Sequence, residues 1–176
     1  MRKVILFIAM RLDGYITDQD GRVDWLEGKE QDGEMVDVYS EFAKSVDTVL
    51  MGWNTYNQIV TELSPEDWAY KGMTSYVFTH RNVESNEEIV FCKESPCVMV
   101  KKLKQEKGKN IWICGGAGVV EQLMGQKQID EYYISVLPVL LGSGVRLFKN
   151  EYEKERLRLI GTQSYNGIVD LHYVRR

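Results

Sequence analysis

A glycine cluster between an apolar run and a helical pattern is the segment of this chain best suited to bind a ligand. Residues 111–114 are mostly apolar, residues 115–118 contain three glycines, and apolar side chains then recur at helical spacing: Val119, Val120, Leu123 and Met124. No Ser, Thr, Asp or Asn precedes this predicted helix, so its first N–H groups are left free at the positive end of the helix dipole. Because glycines allow close approach to the backbone, a phosphate group fits such a place.

The segment matches neither of the two common phosphate-binding motifs. It lacks the Gly-Lys-Ser/Thr of a Walker loop, and Glu121 occupies the position of the third glycine in G-x-G-x-x-G. Two interpretations are open on these residues alone: a phosphate cradle, or a tight turn that joins a strand to the helix packed on it.

The composition argues against several other classes of protein. A net charge of −4 disfavours a nucleic-acid-binding protein, which usually carries a basic face. Three cysteines without a C-x-x-C and two distant histidines disfavour a disulfide framework and a metal site. No segment approaches the ~20 apolar residues of a membrane span. The apolar run after Arg2 and Lys3 is short for a signal-peptide core, and no cleavage site follows it, so we expect a cytoplasmic protein.

The strands that must position the glycine cluster are predicted from continuous apolar runs bounded by turn residues. They cover residues 4–10, 48–51, 75–79, 88–91, 110–114, 130–137, 157–164 and 167–174. The last two are expected to form an antiparallel hairpin joined by Tyr165 and Asn166.

Four helices are predicted between these strands: residues 34–44, a short helix capped by Asn54 or Thr55, residues 96–107 after a Ser95 cap, and the glycine-opened helix. Strands and helices that alternate, followed by strands alone, predict an α/β fold. Its central sheet should be mostly parallel, with antiparallel C-terminal edge strands and helices on both faces. Residues 1–176 are expected to form a single domain.

Six segments of the chain resemble, in order and spacing, those of the dihydrofolate reductase superfamily. The resemblance is closer to its bacterial branch related to the C-terminal reductase domain of the riboflavin-biosynthesis deaminase-reductase. The segments are residues 8–16 (IAMRLDGYI), 50–56 (LMGWNTY), 78–81 (FTHR), 114–118 (CGGAG), 129–138 (IDEYYISVLP) and 141–148 (LGSGVRLF).

This resemblance implies a three-layer dihydrofolate-reductase-like fold and a reductase that uses a nicotinamide dinucleotide. The substrate would be a small nitrogen heterocycle, either pterin-like or resembling a pyrimidine precursor of riboflavin. Hydride transfer belongs to the cofactor, and the protein supplies orientation and a dry pocket.

The resemblance also assigns residues to the parts of the cofactor. Ala9 would face the nicotinamide carboxamide and Ile16 its ribose, while Gln122 would reach the adenine. The phosphates would lie at Gly52, Asn54 and Thr55, and the adenosine end at Thr79, His80 and Arg81. The pyrophosphate would lie on Gly115, Gly116, Ala117, Gly118, Val119 and Val120. A cis peptide bond is expected between Gly115 and Gly116.

Two features depart from the family pattern. Trp53 stands where, in the family, an arginine often binds the extra phosphate of NADPH, and Arg81, together with His80, could take over that role. The alternative for Trp53 itself is a surface aromatic that only packs on the loop. We expect NADPH to be favoured, with NADH possible. Acidic residues are not firmly placed at the substrate, because Asp37 and Glu41 are expected on a solvated helix face and Asp13 in a turn. No catalytic residue is therefore named.

Two residues are expected at the substrate. Ser135 would hydrogen-bond a substrate amino group or an ordered water, and Trp25 would cover the pocket from a loop. The alternatives are a strand serine that faces solvent and a loop aromatic anchored on the core.

Two other functions remain open: a catalytically silent dinucleotide-binding protein and an oligomeric protein of the same fold. A homodimer is expected in every case, because residues 137–148 carry much apolar surface for a loop: Val139, Leu140, Leu141 and Val145. No metal ion, nucleic acid or membrane is expected as a partner.

Overall fold

The structure is a computed structural model that describes residues 1–23, 37–149 and 152–176. The strands are β1 Val4–Arg11, β2 Tyr15–Thr17, β3 Val46–Gly52, β4 Thr74–Phe78, β5 Ile89–Cys92, β6 Asn110–Gly115, β7 Glu131–Leu137, β8 Val145–Arg146, β9 Leu157–Tyr165 and β10 Ile168–Arg175. The helices are α1 Val38–Lys44, α2 Trp53–Gln58, α3 Pro96–Leu103 and α4 Ala117–Gly125, and a π-helical turn, Ile59–Leu63, continues α2.

One eight-stranded sheet organises the molecule, with strand order β5-β4-β3-β6-β1-β7-β10-β9. The strands from β5 to β7 are parallel to their neighbours, and β10 and β9 are antiparallel. This arrangement confirms the predicted α/β class with antiparallel C-terminal edge strands. The continuous apolar run of β1 is explained by its central position, since Val4 and Leu6 are fully buried.

Helices cover both faces of the sheet, as the sequence predicts. On one face α3 and α4 pack against the sheet through residues such as Leu103 and Leu123. On the other face, Phe42 of α1 stacks on Phe7 of β1, and Ile59 is buried in the same cluster. The sheet is therefore the middle layer of three.

Several predicted helix boundaries are wrong. Gly52 precedes α2 and makes no side-chain cap, so the helix starts before Asn54 and Thr55, the residues predicted to cap it. Ser95 caps α3 as predicted, but the helix ends at Leu103 rather than residue 107. The described part of α1 is capped by Asp37, and residues 34–36 of the predicted helix lie outside the described residues.

Two elements have no signal in the local sequence pattern. The short strands β2 and β8 pair antiparallel although they are far apart in the sequence. Gly144, just before β8, lies so close to the Thr17 carbonyl that any side chain there would collide with it. The hairpin of β9 and β10 turns at Asn166 and Gly167, both with positive φ, and not at Tyr165 and Asn166 as predicted.

The apolar residues of the loop after β7 divide between the surface and the interior. Leu140 is 72% exposed and Val139 36%, and exposed Leu12 donates its N–H to the Val139 carbonyl. Leu147 is buried and Val145 pairs with β2, so only part of the predicted dimer surface faces outward. Within the described ranges, no helix is both long and apolar enough to cross a membrane.

Candidate functional site

A cavity of about 960 Å³ opens where the parallel strands end. Its walls come from the carboxyl ends of β1, β3, β4, β5 and β6 and from the starts of the helices that follow them. Parallel strands bring these ends to one edge of the sheet, which is where ligands bind in open α/β sheets. The volume lies at the upper end of the range for ligand pockets.

The glycine cluster forms one wall of this cavity. Strand β6 ends at Gly115, the Gly115-Gly116 peptide bond is cis as expected, and α4 begins at Ala117 without a side-chain cap. Among the described residues, no acceptor binds the N–H groups of Gly116, Ala117 or Gly118. The wall therefore presents three free donors at the positive end of the helix.

Two of the amides expected to be free, those of Val119 and Val120, are hydrogen-bonded within the protein. The N–H groups of Val119 and Val120 donate to the Gly116 carbonyl at 3.0 and 3.3 Å. These two amides belong to the first hydrogen-bonded turn of α4, because a carbonyl four residues earlier is within reach of Val120. Val120 is also fully buried and does not line the cavity.

Glycines surround the free amides. A Cβ on Gly52 would stand 3.6 Å from the Val119 side chain and 4.0 Å from the Gly116 nitrogen, both ordinary contact distances. A Cβ on Gly116 would lie 3.4 Å from Thr55 Oγ1, and one on Gly118 would meet no protein atom within 4 Å. The cradle is thus open at Gly118 and narrow between Gly52 and Gly116.

The far end of the cavity carries aromatic and basic groups. Trp53 opens α2 and packs against Tyr56 and Phe91, with ring centroids 5.4 and 6.3 Å apart. The guanidinium of Arg81 lies 4.8 Å over the Trp53 ring. Lys93, after β5, also lines this end. Trp53 is therefore part of the cavity wall and not a surface aromatic.

Most residues that the resemblance assigned to the cofactor line this single cavity. They are Ala9, Ile16, Gly52, Asn54, Thr55, Thr79, His80, Gly115, Gly116, Ala117, Gly118, Val119 and Gln122. Arg81 is not in the wall but stacks on Trp53, which is. Trp25 lies outside the described residues.

The floor of the cavity contains residues that the sequence analysis did not select. Phe7, Tyr70, Trp112 and Cys114 line it, and the Tyr70 hydroxyl lies 3.1 Å from Cys114 Sγ. Burial raises the pKa of Cys114 to about 11 and also raises that of Tyr70, so both groups are protonated at neutral pH. Phe7, Trp112 and Cys114 lie in apolar strands, where their spacing is indistinguishable from that of ordinary core residues, and Tyr70 lies in the turn before β4.

Ser135 is not in the cavity wall. Its hydroxyl donates to Asp170 Oδ1 at 2.6 Å, and Asp170 is only 1% exposed. This buried carboxylate was missed because Asp170 lies in an alternating strand, where such a residue is expected to face solvent. The sheet register reveals it, since β10 pairs with β7 and places Asp170 opposite Ser135.

The three acidic residues weighed as proton donors have structural partners. Asp13 accepts the N–H groups of Leu141 and Gly142 at 2.7 and 2.8 Å. Asp37 caps α1 through Ser40, and Glu41 pairs with Lys44 on the exposed helix face, as expected. In the ranges that the structure describes, no three His, Cys, Asp or Glu side chains converge as metal ligands.

Fold and cavity together define the class: a dihydrofolate-reductase-like domain with a ligand cavity at the carboxyl edge of its parallel strands. The chain belongs to the family described as the RibD C-terminal domain, whose model matches residues 2–172. The resemblance inferred from the sequence is thereby confirmed.

Two relatives from Bacillus subtilis (strain 168) are similar over nearly their whole length. The chain is 44% identical to the uncharacterised protein YwjB over 177 residues, covering 99% of this chain and 98% of YwjB. It is 30% identical to the uncharacterised protein YyaP, covering 98% of this chain and 94% of YyaP.

Solved structures show the same fold. A crystal structure of a candidate riboflavin biosynthesis protein from Shewanella sp. PV-4 matches with TM-score 0.84 and 27% identity, covering 99% of both chains. The diaminohydroxyphosphoribosylaminopyrimidine deaminase/5-amino-6-(5-phosphoribosylamino)uracil reductase from Thermotoga maritima matches with TM-score 0.70 and 13% identity. That match covers 99% of this chain but 57% of the Thermotoga protein, and at this identity it shows the fold alone.

Proposed function

We propose that this protein is a reductase that uses a nicotinamide dinucleotide to reduce a small nitrogen heterocycle. The substrate would be pterin-like or would resemble a pyrimidine precursor of riboflavin. The observation that carries the proposal is the set of three free amides at Gly116, Ala117 and Gly118, which face a cavity large enough for a ligand. Membership of the RibD C-terminal domain family supports the same activity.

The residues present fit a dinucleotide. Free backbone N–H groups at a helix start are suited to a diphosphate, and Gly118 leaves space for one to approach. Arg81, stacked on Trp53, is a bidentate donor for a further phosphate at the adenosine end. This arrangement supports NADPH over NADH.

A bound nicotinamide dinucleotide would supply the hydride, and the chain's own residues would supply position and a dry site. Ala9, at the end of β1, would offer backbone groups to the carboxamide, and buried Ile16 would pack along the ribose. Phe7 and Trp112 line the floor with apolar rings that help to keep water out of the site. Tyr70 keeps its proton on this floor, where it can donate a hydrogen bond.

Two measurements test the proposal in sequence. Because Trp53 and Trp112 line the cavity, NADPH binding should quench the tryptophan fluorescence in a saturable manner. Heterocycle-dependent loss of NADPH absorbance should then report turnover. Quenching without turnover of any pterin or riboflavin-type pyrimidine would favour a catalytically silent dinucleotide-binding protein. Absence of quenching would exclude both the reductase and the silent binding protein.

A further inference from the structure

Tyr70 and Cys114 form a polar pair on the otherwise apolar floor of the cavity. Tyr70 lies in the turn before β4 and Cys114 near the end of β6, and both line the cavity. The Tyr70 hydroxyl is 3.1 Å from Cys114 Sγ, and either atom can be the donor. Both residues are half-buried, so a ligand in the cavity can reach them.

Neighbouring aromatic rings hold the Tyr70 ring in place. It meets Trp112 and Trp68 edge-to-face, with ring centroids 4.9 and 5.5 Å apart. The Trp112 indole N–H is already used, because it donates to the Phe7 carbonyl at 2.9 Å. The Tyr70 hydroxyl and the Cys114 thiol are therefore the side-chain groups of this floor that remain for a polar contact with a ligand.

The pair carries no charge. Within the described ranges, each group is the other's only hydrogen-bond partner and neither makes an ion pair. Burial raises the pKa of Cys114 to about 11, so the thiol keeps its proton. The described carboxylates that line the cavity are all exposed: Asp20, Glu62 and Glu94. A charged group of a ligand would lose its hydration on this floor without gaining a counter-charge from the pair, so the floor favours an uncharged ring.

The thiol holds the phenol proton only weakly. A thiol is a weak donor and its sulfur a weak acceptor, whereas a phenol hydroxyl both donates and accepts well. A ring nitrogen or a carbonyl oxygen is a better acceptor than sulfur, so it takes the Tyr70 proton in preference to Cys114. The thiol then donates its own proton to the phenol oxygen, and neither group loses its partner. The pair thus becomes a donor toward the cavity at little cost.

We propose that Tyr70, supported by Cys114, is the hydrogen-bond donor that recognises a ring nitrogen or carbonyl oxygen of an uncharged heterocycle on the cavity floor. The inference rests on the proposed function for the class of ligand, and deepens it by naming the atom that is recognised and the residue that recognises it.

Quinoxaline and naphthalene test the recognised atom. Both are uncharged bicyclic rings of similar size, and only quinoxaline has ring nitrogens that accept. Their affinities for the parent protein and for Tyr70→Phe are compared by ligand-observed NMR titration without NADPH. We expect Tyr70→Phe to weaken quinoxaline binding about five-fold, as for one hydrogen bond, and to change naphthalene binding by less than about two-fold. Two ligands measured on two proteins remove their difference in hydrophobicity from the result.

The S–H stretching band in the Raman spectrum reports the part played by the thiol. Subtraction of the Cys114→Ala spectrum isolates the Cys114 band from those of Cys92 and Cys97. Quinoxaline should shift this band to lower frequency, because the thiol becomes the donor to the phenol oxygen. Naphthalene should leave the band in place, and neither ligand should shift it in Tyr70→Phe.

Tyr76→Phe is the matched control. It removes a half-buried phenol hydroxyl from the opposite face of the sheet, outside the cavity wall, and should leave both affinities unchanged. The melting temperature of each variant separates a folding defect from a change in recognition.

An equal effect of Tyr70→Phe on both ligands, an unshifted thiol band, or absence of quinoxaline binding to the parent protein would overturn the inference. Should Tyr70→Phe not fold, the thiol band of the parent protein decides in its place. Failure of the proposed function has a different signature: NADPH would not quench the parent protein, while the quinoxaline titrations, which contain no NADPH, would be unaffected.

Discussion

Gly118 shows most directly how a single residue can serve binding rather than folding. Glycine inside a helix lowers its stability relative to alanine by about 0.5–1 kcal/mol. Nothing in the protein requires a glycine there, because a Cβ would meet no atom within 4 Å. Its value lies in the open space beside the free amides.

We predict that Gly118→Ala raises the melting temperature slightly and weakens NADPH binding about ten-fold, because the methyl group blocks charge-assisted hydrogen bonds to the diphosphate. Fluorescence quenching and a thermal melt measure the two effects. Gly125→Ala is the matched control: it lies in the same helix, has equally open surroundings and is not in the cavity wall. Equal affinity in both variants would contradict the cradle.

Arg81 gives a second prediction at this scale. If its guanidinium holds the extra phosphate, Arg81→Ala should weaken NADPH binding about ten-fold and leave NADH binding nearly unchanged. Parallel titrations with the two coenzymes measure this difference. Arg158→Ala removes the same charge from the exposed edge strand β9 and controls for net charge. An equal loss of affinity for NADPH and NADH would show that Arg81 contributes only to packing.

At the scale of elements, the Asp13 carboxylate is one of several groups that join the turn after β1 to the loop after β7, beside the Leu12 N–H and its bond to the Val139 carbonyl. The N–H of Gly142, with a smaller effect of Leu141, holds the pKa of Asp13 below its ordinary value of 3.8. A depressed folded-state pKa means that the stabilising contribution is present above the unfolded-state pKa and is lost as the pH falls through the folded-state value.

We therefore predict that this tether weakens only in acid, below about pH 4, and that Asp13→Asn weakens it at every pH. Amide hydrogen exchange measures the effect: the N–H groups of Leu141 and Gly142 should exchange faster in the variant at neutral pH. The amide of Ser40, held by Asp37 in α1, should not change and serves as the internal control. Unchanged exchange at Gly142 would show that the Asp13 carboxylate does not hold the loop.

At the scale of the molecule, stability and binding are placed at opposite ends of the sheet. Arg2 precedes β1 and is 7% exposed, with hydrogen bonds to Asp47, Thr48 Oγ1 and the Lys109 carbonyl. It joins three chain segments at the amino ends of the strands, away from the cavity at their carboxyl ends.

Replacing this buried cation should therefore affect folding and not binding. We predict that Arg2→Met lowers the free energy of unfolding by about 2 kcal/mol, because Asp47 loses its ion-pair partner and keeps only its hydrogen bonds from Lys109 and Thr48. Urea denaturation measures the loss, and the NADPH affinity of the folded variant should equal that of the parent. A large change in affinity would mean that the two ends of the sheet are coupled.

The homodimer remains a prediction at the same scale. If exposed Leu12 and Leu140 meet a second copy, Leu140→Asp should shift the mass measured by light scattering from two chains to one. Val98→Asp changes an exposed apolar residue on α3 and is the control. A parent protein of single-chain mass would reject this interface.

Local pattern was sufficient for most of the fold. Apolar runs and turn residues predicted the eight strands of the main sheet, and helical spacing after Gly118 predicted α4. These signals are local because burial on both faces needs an unbroken apolar run, and a helix face needs a fixed spacing. Pairing across the chain carries no such signal, so β2 and β8 were not predicted.

The candidate site also has features that the local sequence predicted and features that it did not. The glycine cluster is contiguous, so the sequence alone determined that free amides would stand at a helix start; its residues even predicted the cis bond through family resemblance. Only the tertiary structure decided that the Val119 and Val120 N–H groups form hydrogen bonds inside the helix, and that Asp170 faces Ser135. Those contacts depend on strand register and chain direction, which bring together residues 35 positions apart and which no local spacing encodes.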